Sequence, residues 1–226
     1  FHLDALPRRA IIAGGGYIAN EFAGIFHEFG SAVTLINRSD TILRGYDEQI
    51  RDRWGDDAAI AEAQSLAPLR ISVDTHGGPA SGGRLIGKDG SPLDLDGFKK
   101  TIEFYLTAVF NVMRLSAAAI ATTEPLDEGA RGVIVNTASI AGYEGQIGQL
   151  PYSAAKGGVL GMTLVAARDL SPLGIRVVTI APGTVNTPAY GKAADQLEQY
   201  WGPQVPFPKR MGRSTEYAQL AQSIIE

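Results

Sequence analysis

Short apolar segments alternate with helical segments along this chain, and no other feature of the sequence constrains its fold as strongly. Runs rich in β-branched residues predict strands, and runs whose apolar residues recur at a helical period predict helices. The predicted strands lie at 9–16, 32–37, 69–74, 132–139 and 175–181. The main predicted helices lie at 17–29, 46–67, 95–121 and 152–170, with further helices in the tail. Such alternation is typical of a parallel sheet covered on both faces.

The alternation predicts an α/β fold with a doubly wound parallel sheet, because crossovers between parallel strands are right-handed. We expect the five strands to lie in the order 2-1-3-4-5, a flavodoxin-like variant of the Rossmann-like arrangement. We expect residues 1–226 to form one such domain. Ligands of open α/β sheets bind at the carboxyl ends of the strands, so the groups that follow the strands are the candidate site.

A glycine-rich turn joins the first predicted strand to the first predicted helix. Its spacing, Gly14-x-Gly16-x-x-Ala19, is the dinucleotide-binding fingerprint with alanine at the third small position. Gly14 permits the tight turn, Gly16 lets a pyrophosphate approach the backbone, and the helix N-terminus faces the phosphates. With Tyr17 and Ile18, the turn therefore predicts a bound dinucleotide. A plain strand-to-helix turn is the weaker alternative.

The end of the second predicted strand indicates which dinucleotide is expected. NAD-binding sites usually place an acidic residue there to hold the ribose 2′-hydroxyl. This chain has Asn37 and Arg38 at the strand end, and Arg44 a little further on. Guanidinium groups suit a 2′-phosphate, which they bind through charge-assisted hydrogen bonds. The sequence therefore predicts NADP as the cofactor, and two solvated loop arginines are the alternative.

Residues 1–53 resemble the NADPH-binding segment of glutathione reductases. The matching residues are Gly14-Gly-Gly-Tyr-Ile-Ala19, Glu21-Phe-Ala-Gly24, Arg38 and Arg44. By this resemblance Tyr17 is the aromatic residue that covers the nicotinamide site. The chain has no cysteine, so it lacks the redox disulfide of that family, and no segment resembles its FAD domain. Disulfide reduction is therefore excluded.

The segment from Ser139 to Lys156 contains the candidate catalytic residues Ser139, Tyr152 and Lys156. Tyr152 and Lys156 are four residues apart, so a helix places them on one face. A phenol has an ordinary pKa of about 10, and a neighbouring ammonium favours the phenolate. Ser139 closes a predicted strand, where its hydroxyl can hydrogen-bond a substrate oxygen. This group suits carbonyl reduction or alcohol oxidation; a surface tyrosine and lysine one turn apart are the alternative.

From about residue 56 to residue 226 the chain resembles the short-chain dehydrogenase/reductase family, and most closely the branch that contains type 2 3-hydroxyacyl-CoA dehydrogenases. The matching segments are Asn136-Thr-Ala-Ser139, Gln146-Ile-Gly-Gln149, Tyr152-Ser-Ala-Ala-Lys156, Arg168-Asp-Leu170 and Ile180-Ala-Pro-Gly-Thr184. The resemblance implies cofactor contacts at Gly77, Pro182, Gly183 and Thr187. It also implies a mobile substrate lid over Ala189–Pro208 and, in the family, a final strand that would follow Glu226.

Three departures from that family's pattern count against turnover. Asp74 and His76 replace residues of the family's Asn-x-Ala-Gly turn, and the glycine turn at Gly14 is shorter than the family's. Tyr105 stands where the family has an asparagine that helps relay protons from the lysine. A nicotinamide misplaced by about 1 Å can cost of the order of 100-fold in rate. Cofactor binding tolerates such an error better than hydride transfer does.

We interpret the chain as a mosaic of two nucleotide-binding families, joined between Asp47 and Asp57, with 1–53 from one family and 54–226 from the other. An engineered chimera is the favoured origin and natural recombination the alternative. The favoured function is a folded chimera that binds NADP(H) with weak or absent turnover. The alternative is an active NADP-dependent oxidoreductase that acts on a carbonyl or secondary alcohol.

Composition argues against several other functions. A net charge of −4 gives no support for nucleic-acid binding through a basic surface. The absence of cysteine excludes thiolate metal sites and fits a reducing compartment, so a cytoplasmic or recombinant-host location is expected. No apolar run approaches the ~20 residues of a membrane span, and the three histidines do not cluster in sequence. We expect a small-molecule substrate, no metal, and no nucleic-acid or membrane partner; oligomeric state stays open.

Overall fold

The computed structural model describes residues 9–13, 32–36, 60–61, 63–65, 67–75, 81–187 and 194–226. Within them the strands are β1 Arg9–Ala13, β2 Ala32–Ile36, β3 Ile71–Asp74, β4 Gly132–Thr137, β5 Ile175–Ile180, β6 Val185–Asn186 and β7 Gly212–Arg213. The helices are α1 Leu95–Ile102, α2 Ala108–Ala121, α3 Leu150–Leu170, α4 Ala194–Trp201 and α5 Ser214–Ile225. A π-helical turn over Glu103–Thr107 joins α1 to α2 without a break.

In this part of the chain β1 to β5 form one sheet, with hydrogen-bonded neighbours in the order β2-β1-β3-β4-β5 and all pairs parallel. The predicted α/β class with parallel pairing is therefore confirmed. β1 pairs directly with β3, and Ala13 lies opposite Asp74. The number and order of strands in the whole chain, and the single domain over 1–226, stay predictions because much of the first quarter lies outside the described residues.

Helices cover both faces of the sheet in the described part of the chain, so β3 and β4 are buried along almost their whole length. α2 and α3 pack on one face, where Ile120 of α2 meets Ile134 of β4 and Ile175 of β5 in one buried cluster. Side chains alternate across a strand, so Arg176 points to the other face. Its guanidinium donates to Ile224 O of α5 at 2.6 Å. The central strands are thus enclosed between α2 and α3 on one side and α5 on the other.

The predicted helix over Leu95–Ala121 is continuous, but its centre is not α-helical. Asp94 caps its start, since the carboxylate accepts from Gly97 N at 2.7 Å. The π turn at Glu103–Thr107 then inserts an extra residue into the helix. An apolar period does not reveal such a turn, so the turn was not predicted from the sequence. This continuous helix is also long and apolar enough to cross a membrane by length and composition alone, a test that the buried core helix of a soluble protein also passes.

The tail contains a structure that the sequence did not indicate. The two-residue strands β6 and β7 pair in parallel, so Val185 lies opposite Gly212. They join the loop after β5 to the start of α5. The side chain of Glu198 on α4 accepts from Met211 N at 2.8 Å and from Asn186 Nδ2 at 3.0 Å. α4 is therefore fastened to this small sheet, while the mobility expected for Ala189–Pro208 stays a prediction.

Two glycines provide a matched test of the packing around β4. A Cβ at Gly132 would lie 2.2 Å from Arg70 O, whereas a Cβ at Gly161 on α3 would meet no atom within 4 Å. We expect Gly132→Ala to destabilise the protein by about 1–3 kcal/mol, because the backbone must shift. Gly161→Ala should stabilise it by about 0.4–1 kcal/mol. Urea unfolding midpoints measure both, and equal midpoints for the two variants would contradict the described position of β4.

Candidate functional site

The carboxyl ends of β3, β4 and β5 meet at one edge of the sheet. In the strand register Asp74 lies opposite Asn136. The loops beyond β4 and β5 stay together, because Ala138 N donates to Ile180 O at 2.8 Å and Ile140 N donates to Pro182 O at 3.0 Å. The segment that contains the candidate Ser139 is therefore held beside the turn after β5.

Ser139 follows β4 and begins a short 3-10 turn over Ile140–Gly142. Its backbone is extended, and its Oγ accepts from Ala141 N at 3.2 Å. A hydroxyl that accepts one hydrogen bond keeps its proton to donate. The half-buried Ser139 can thus still hydrogen-bond an oxygen that enters from the strand edge.

Helix α3 carries the other two candidate catalytic residues. It begins at Leu150 with Pro151 in its first turn, a position that suits proline because no helical N–H is lost there. Tyr152 and Lys156 lie on one face of this helix, and Lys156 Nζ is 5.9 Å from the centroid of the Tyr152 ring. The expected placement of the pair on one helix face agrees with this geometry, while the roles of the residues stay proposals.

Lys156 is an ammonium group in an almost closed environment. Only 2% of the residue is exposed, and Nζ donates to Thr137 O at 2.7 Å. Burial lowers the pKa of Lys156 to about 8, and the negative charge of Asp74 acts in the opposite direction. The side chain therefore remains mostly protonated at pH 7.

Thr137 connects Lys156 to two further elements. Its Oγ1 donates to Asp74 O at 2.6 Å and is hydrogen-bonded to the Tyr217 hydroxyl. A threonine hydroxyl has one proton, so Tyr217 is the donor in the second bond. Burial raises the pKa of Tyr217 well above its ordinary value, which keeps this donor protonated. Helix α5 is thereby fastened beneath the strand edge.

Tyr105, in the π turn, completes the surroundings of the pair. Lys156 Nζ lies 5.2 Å from the centroid of the Tyr105 ring. The rings of Tyr105 and Tyr152 meet nearly at right angles, with centroids 5.0 Å apart. In the sequence, Tyr105 and Asp74 stand out only as departures from the family's pattern, and neither Thr137 nor Tyr217 was predicted to contribute to the site. Thr137 lies within the matching segment Asn136-Thr-Ala-Ser139 without an expected role there, and no motif marks Tyr217, because its contact arises from the docking of α5.

The predicted cofactor-binding residues divide into two groups. One group lies outside the described residues: Gly14, Gly16, Tyr17, Ile18, Asn37, Arg38, Arg44 and Gly77. The other group, Pro182, Gly183 and Thr187, follows β5 at the same edge as Ser139. Gly183 is exposed, and a Cβ there would approach only Ile140 Cδ1, at 3.8 Å. This turn therefore has room for a ligand that lies along the strand ends.

An open groove of about 600 Å³ lies beside the start of α3. It is lined by 83–86 on one side and by 145–148, Leu150 and Ser153 on the other. The two sides are joined where Gly83 N donates to Gly148 O at 2.9 Å. Gln146 lines this groove, but Tyr152 and Lys156 do not, so the groove is next to the candidate catalytic pair rather than around it.

Two family models match different parts of the chain. The short chain dehydrogenase model matches residues 80–198, which is more than half of the chain, and the pyridine nucleotide-disulphide oxidoreductase model matches residues 9–63. The expected resemblance of two segments to two families is thus confirmed. Both families bind nicotinamide or flavin nucleotides. An engineered origin of the join stays a prediction.

Individual relatives are dehydrogenases, in agreement with the match of residues 80–198 to the short chain dehydrogenase model. The chain is 52% identical over 132 residues to 3-hydroxyacyl-CoA dehydrogenase type-2 of Bos taurus, covering 58% of this chain and 51% of that protein. It is 50% identical over 139 residues to the Homo sapiens protein of the same name, covering 62% and 53%. The chain thus spans about half the length of these curated relatives. The crystal structure of 3-hydroxyacyl-CoA dehydrogenase type-2 from Mycobacterium avium superposes with a TM-score of 0.85 at 41% identity, covering 96% of this chain and 89% of that one.

The burial of Lys156 predicts a specific pH dependence of stability. Its folded pKa of about 8 lies below the ordinary lysine value of 10.5, so between these values the unfolded chain binds the extra proton. The free energy of unfolding of the wild type relative to Lys156→Met should therefore rise with pH from about 8 to 10.5, by up to roughly 3 kcal/mol. Below pH 8 the difference should be constant.

Urea unfolding at pH 7, 8, 9 and 10 measures this difference. Lys88→Met, measured over the same pH series, provides the control, since Lys88 is an exposed lysine far from the strand ends in sequence. A wild-type to Lys156→Met difference that is independent of pH would show that the lysine is not buried as described.

Proposed function

Since the chain belongs to the short-chain dehydrogenase family, we propose that it is a nicotinamide-dependent oxidoreductase that acts on a carbonyl or secondary-alcohol group of a small molecule. The observation that most supports this function is the pair formed by Tyr152 and the buried Lys156 on one face of α3. Ser139 stands on the neighbouring strand end. The comparisons favour this active enzyme over a folded chimera with little turnover.

The three side chains have complementary roles in this proposal. Tyr152 is the acid-base group: its phenol gives a proton to the carbonyl oxygen in reduction, and its phenolate takes that proton back in alcohol oxidation. Lys156 stabilises the phenolate, because a nearby positive charge favours the ionised form. Ser139 donates a hydrogen bond to the substrate oxygen and fixes its position. Proton transfer by a positioned side chain typically contributes about 10²–10⁴-fold to the rate.

A nicotinamide nucleotide is the implied cofactor, and we propose NADP. When bound, the nicotinamide supplies or accepts the hydride. Pro182, Gly183 and Thr187 would hold its nicotinamide end, and the room beside Gly183 supports this assignment. The choice of NADP rests on Arg38 and Arg44, because guanidinium groups pair with a 2′-phosphate and no carboxylate stands at that strand end.

The substrate class follows from the relatives, whose names specify 3-hydroxyacyl-CoA dehydrogenase activity. We therefore propose the C3 secondary alcohol of an acyl thioester, and the corresponding ketone, as the first substrates to test. The expected cytoplasmic location stays a prediction.

A second candidate function is a folded protein that binds NADP and turns over little substrate. Two observations support it. Separate family models match the two segments of the chain. The glycine turn after β1 lies in the segment that matches one family, and α3 lies in the segment that matches the other. Tyr105 also contacts Lys156 where the family's pattern has an asparagine. Both candidates bind NADP, and turnover distinguishes them.

Tyr152→Phe tests the catalytic assignment. Removal of the phenol proton should lower kcat by about 10²–10⁴-fold, while the Kd for NADPH measured by nucleotide fluorescence changes little. NADPH oxidation with a panel of ketones that includes a 3-ketoacyl thioester measures kcat. Tyr143→Phe is the matched control, since Tyr143 is 74% exposed.

Turnover that survives Tyr152→Phe unchanged would refute the proposed mechanism. Saturable NADPH binding by the wild type without turnover of any substrate in the panel would favour the second candidate.

Arg38→Ala tests the choice of cofactor. The loss of a charge-assisted hydrogen bond, worth about 1.5–3 kcal/mol, should weaken NADPH binding by about 10- to 100-fold and leave NADH binding almost unchanged. Fluorescence titrations with both nucleotides measure this selectivity, with Arg114→Ala, an exposed arginine on α2, as the control. An equal loss of affinity for both nucleotides would place Arg38 away from the 2′-phosphate.

A further inference from the structure

The buried ammonium of Lys156 needs more compensation than one hydrogen bond provides. An ammonium has three N–H donors, and Thr137 O accepts from Lys156 Nζ at 2.7 Å. Burial of a charge is costly unless neighbouring groups compensate it. The ring of Tyr105 is the nearer of two aromatic rings, with its centroid 5.2 Å from Nζ against 5.9 Å for Tyr152. A cation within about 6 Å of a ring centroid is attracted to the face of the ring.

Tyr105 also contacts the second member of the pair. Its ring and the ring of Tyr152 are nearly perpendicular, at an interplanar angle of 85°. Perpendicular rings at this separation attract each other through their quadrupoles. One side chain therefore restrains both the ammonium and the phenol.

The position of Tyr105 is set by the backbone around it. The residue is 3% exposed and lies at the centre of the π turn over Glu103–Thr107. A π turn adds one residue to the helix and so changes which side chain faces α3; such turns occur frequently at functional sites. α3 approaches this turn closely at Gly158, where a Cβ would lie 2.7 Å from Leu106 Cδ2.

We infer that Tyr105 is a positioning residue whose ring holds the Lys156 ammonium beside Tyr152. The effect of Tyr105 on catalysis rests on the proposed function, but the contact between its ring and Lys156 Nζ is present without substrate. The ring, rather than the hydroxyl, is the group that acts on Lys156. Tyr105 thereby does more than fill the core, and its replacement changes the ionisation of a residue on another helix.

The ionisable groups packed around Lys156 in the described part of the chain come from four elements. They are Asp74 on β3, Tyr152 on α3, Tyr105 on the π turn and Tyr217 on α5. Tyr217 is linked to Lys156 through Thr137. Asp74 and Tyr217 are themselves unaltered in the Tyr105 variants, and Tyr105→Phe and Tyr105→Leu both lose the Tyr105 hydroxyl. A change in the Lys156 titration that appears only in Tyr105→Leu therefore reports the ring.

The test compares Tyr105→Phe, which keeps the ring, with Tyr105→Leu, which removes it. Lysine-selective ¹³C and ¹⁵N NMR of the full chain without substrate follows the titration of Lys156, with Lys156→Arg used to assign its signal. We expect Tyr105→Phe to titrate like the wild type. Tyr105→Leu should raise the acid dissociation constant of Lys156 by roughly tenfold, because the ring no longer stabilises the cation. Tyr105→Met gives the same comparison if the leucine variant does not fold.

Turnover provides the second measurement. Tyr105→Leu should lower kcat at least tenfold with little change in KM or in the Kd for NADPH, and Tyr105→Phe should retain most of the wild-type kcat. Val109→Ala, a fully buried change on the next helical segment, controls for lost stability. It should leave the Lys156 titration unchanged.

Three outcomes would overturn the inference. If Lys156 titrates in Tyr105→Leu as it does in the wild type, Tyr105 has only a packing role in the core. If the Lys156 titration shifts equally in Tyr105→Phe and Tyr105→Leu, the effect belongs to the Tyr105 hydroxyl. An equal shift in Val109→Ala would assign it to general loosening. If the wild type turns nothing over, the proposed function fails, and the NMR titration still decides the role of Tyr105.

Discussion

The hydrogen bond from Lys156 Nζ to Thr137 O joins the helix of the proposed catalytic pair to the centre of the sheet. Thr137 extends this connection to β3 through Asp74 O and to α5 through Tyr217. A buried ammonium is tolerated only where hydrogen bonds and favourable charges compensate its lost hydration. The site is therefore organised around one buried charge, and elements distant in sequence meet at the residue that accepts its hydrogen bond.

The parts of this arrangement that follow from local pattern could be predicted from the sequence. The spacing of Tyr152 and Lys156 determines that a helix presents them together, and apolar runs determine which segments form the buried strands. The π turn at Glu103–Thr107 could not be predicted, because its hydrogen bonds leave no trace in the apolar period and depend on how closely α3 approaches. Tyr217 could not be predicted either, since its contact depends on where α5 docks on the sheet.

β3 pairs with β1 on one side and with β4 on the other, which explains how segments that match two families can share one sheet. Backbone hydrogen bonds of a parallel ladder do not depend on which side chains the strands carry. The requirement is that helices can cover both strands: β1 is rich in apolar residues, and all four residues of β3 are buried. The position of a loop beyond a strand end depends on its length and turn type, which pairing does not control. Sheet formation is thus less sensitive to the join than catalytic geometry is.

Two of the departures from the family's pattern acquire a different meaning once their positions are known. Asp74 and Tyr105 were both counted against turnover because they replace expected residues. In the structure both are buried close to Lys156: the carboxylate raises the pKa of the lysine against the effect of burial, and the ring presents its face to the ammonium. Each therefore favours the charged lysine, the state that lets it stabilise a phenolate at Tyr152. A substitution that removes one means of supporting the lysine can supply another: Asp74 and Tyr105 keep Lys156 charged, whatever the loss of the family's asparagine costs in proton relay.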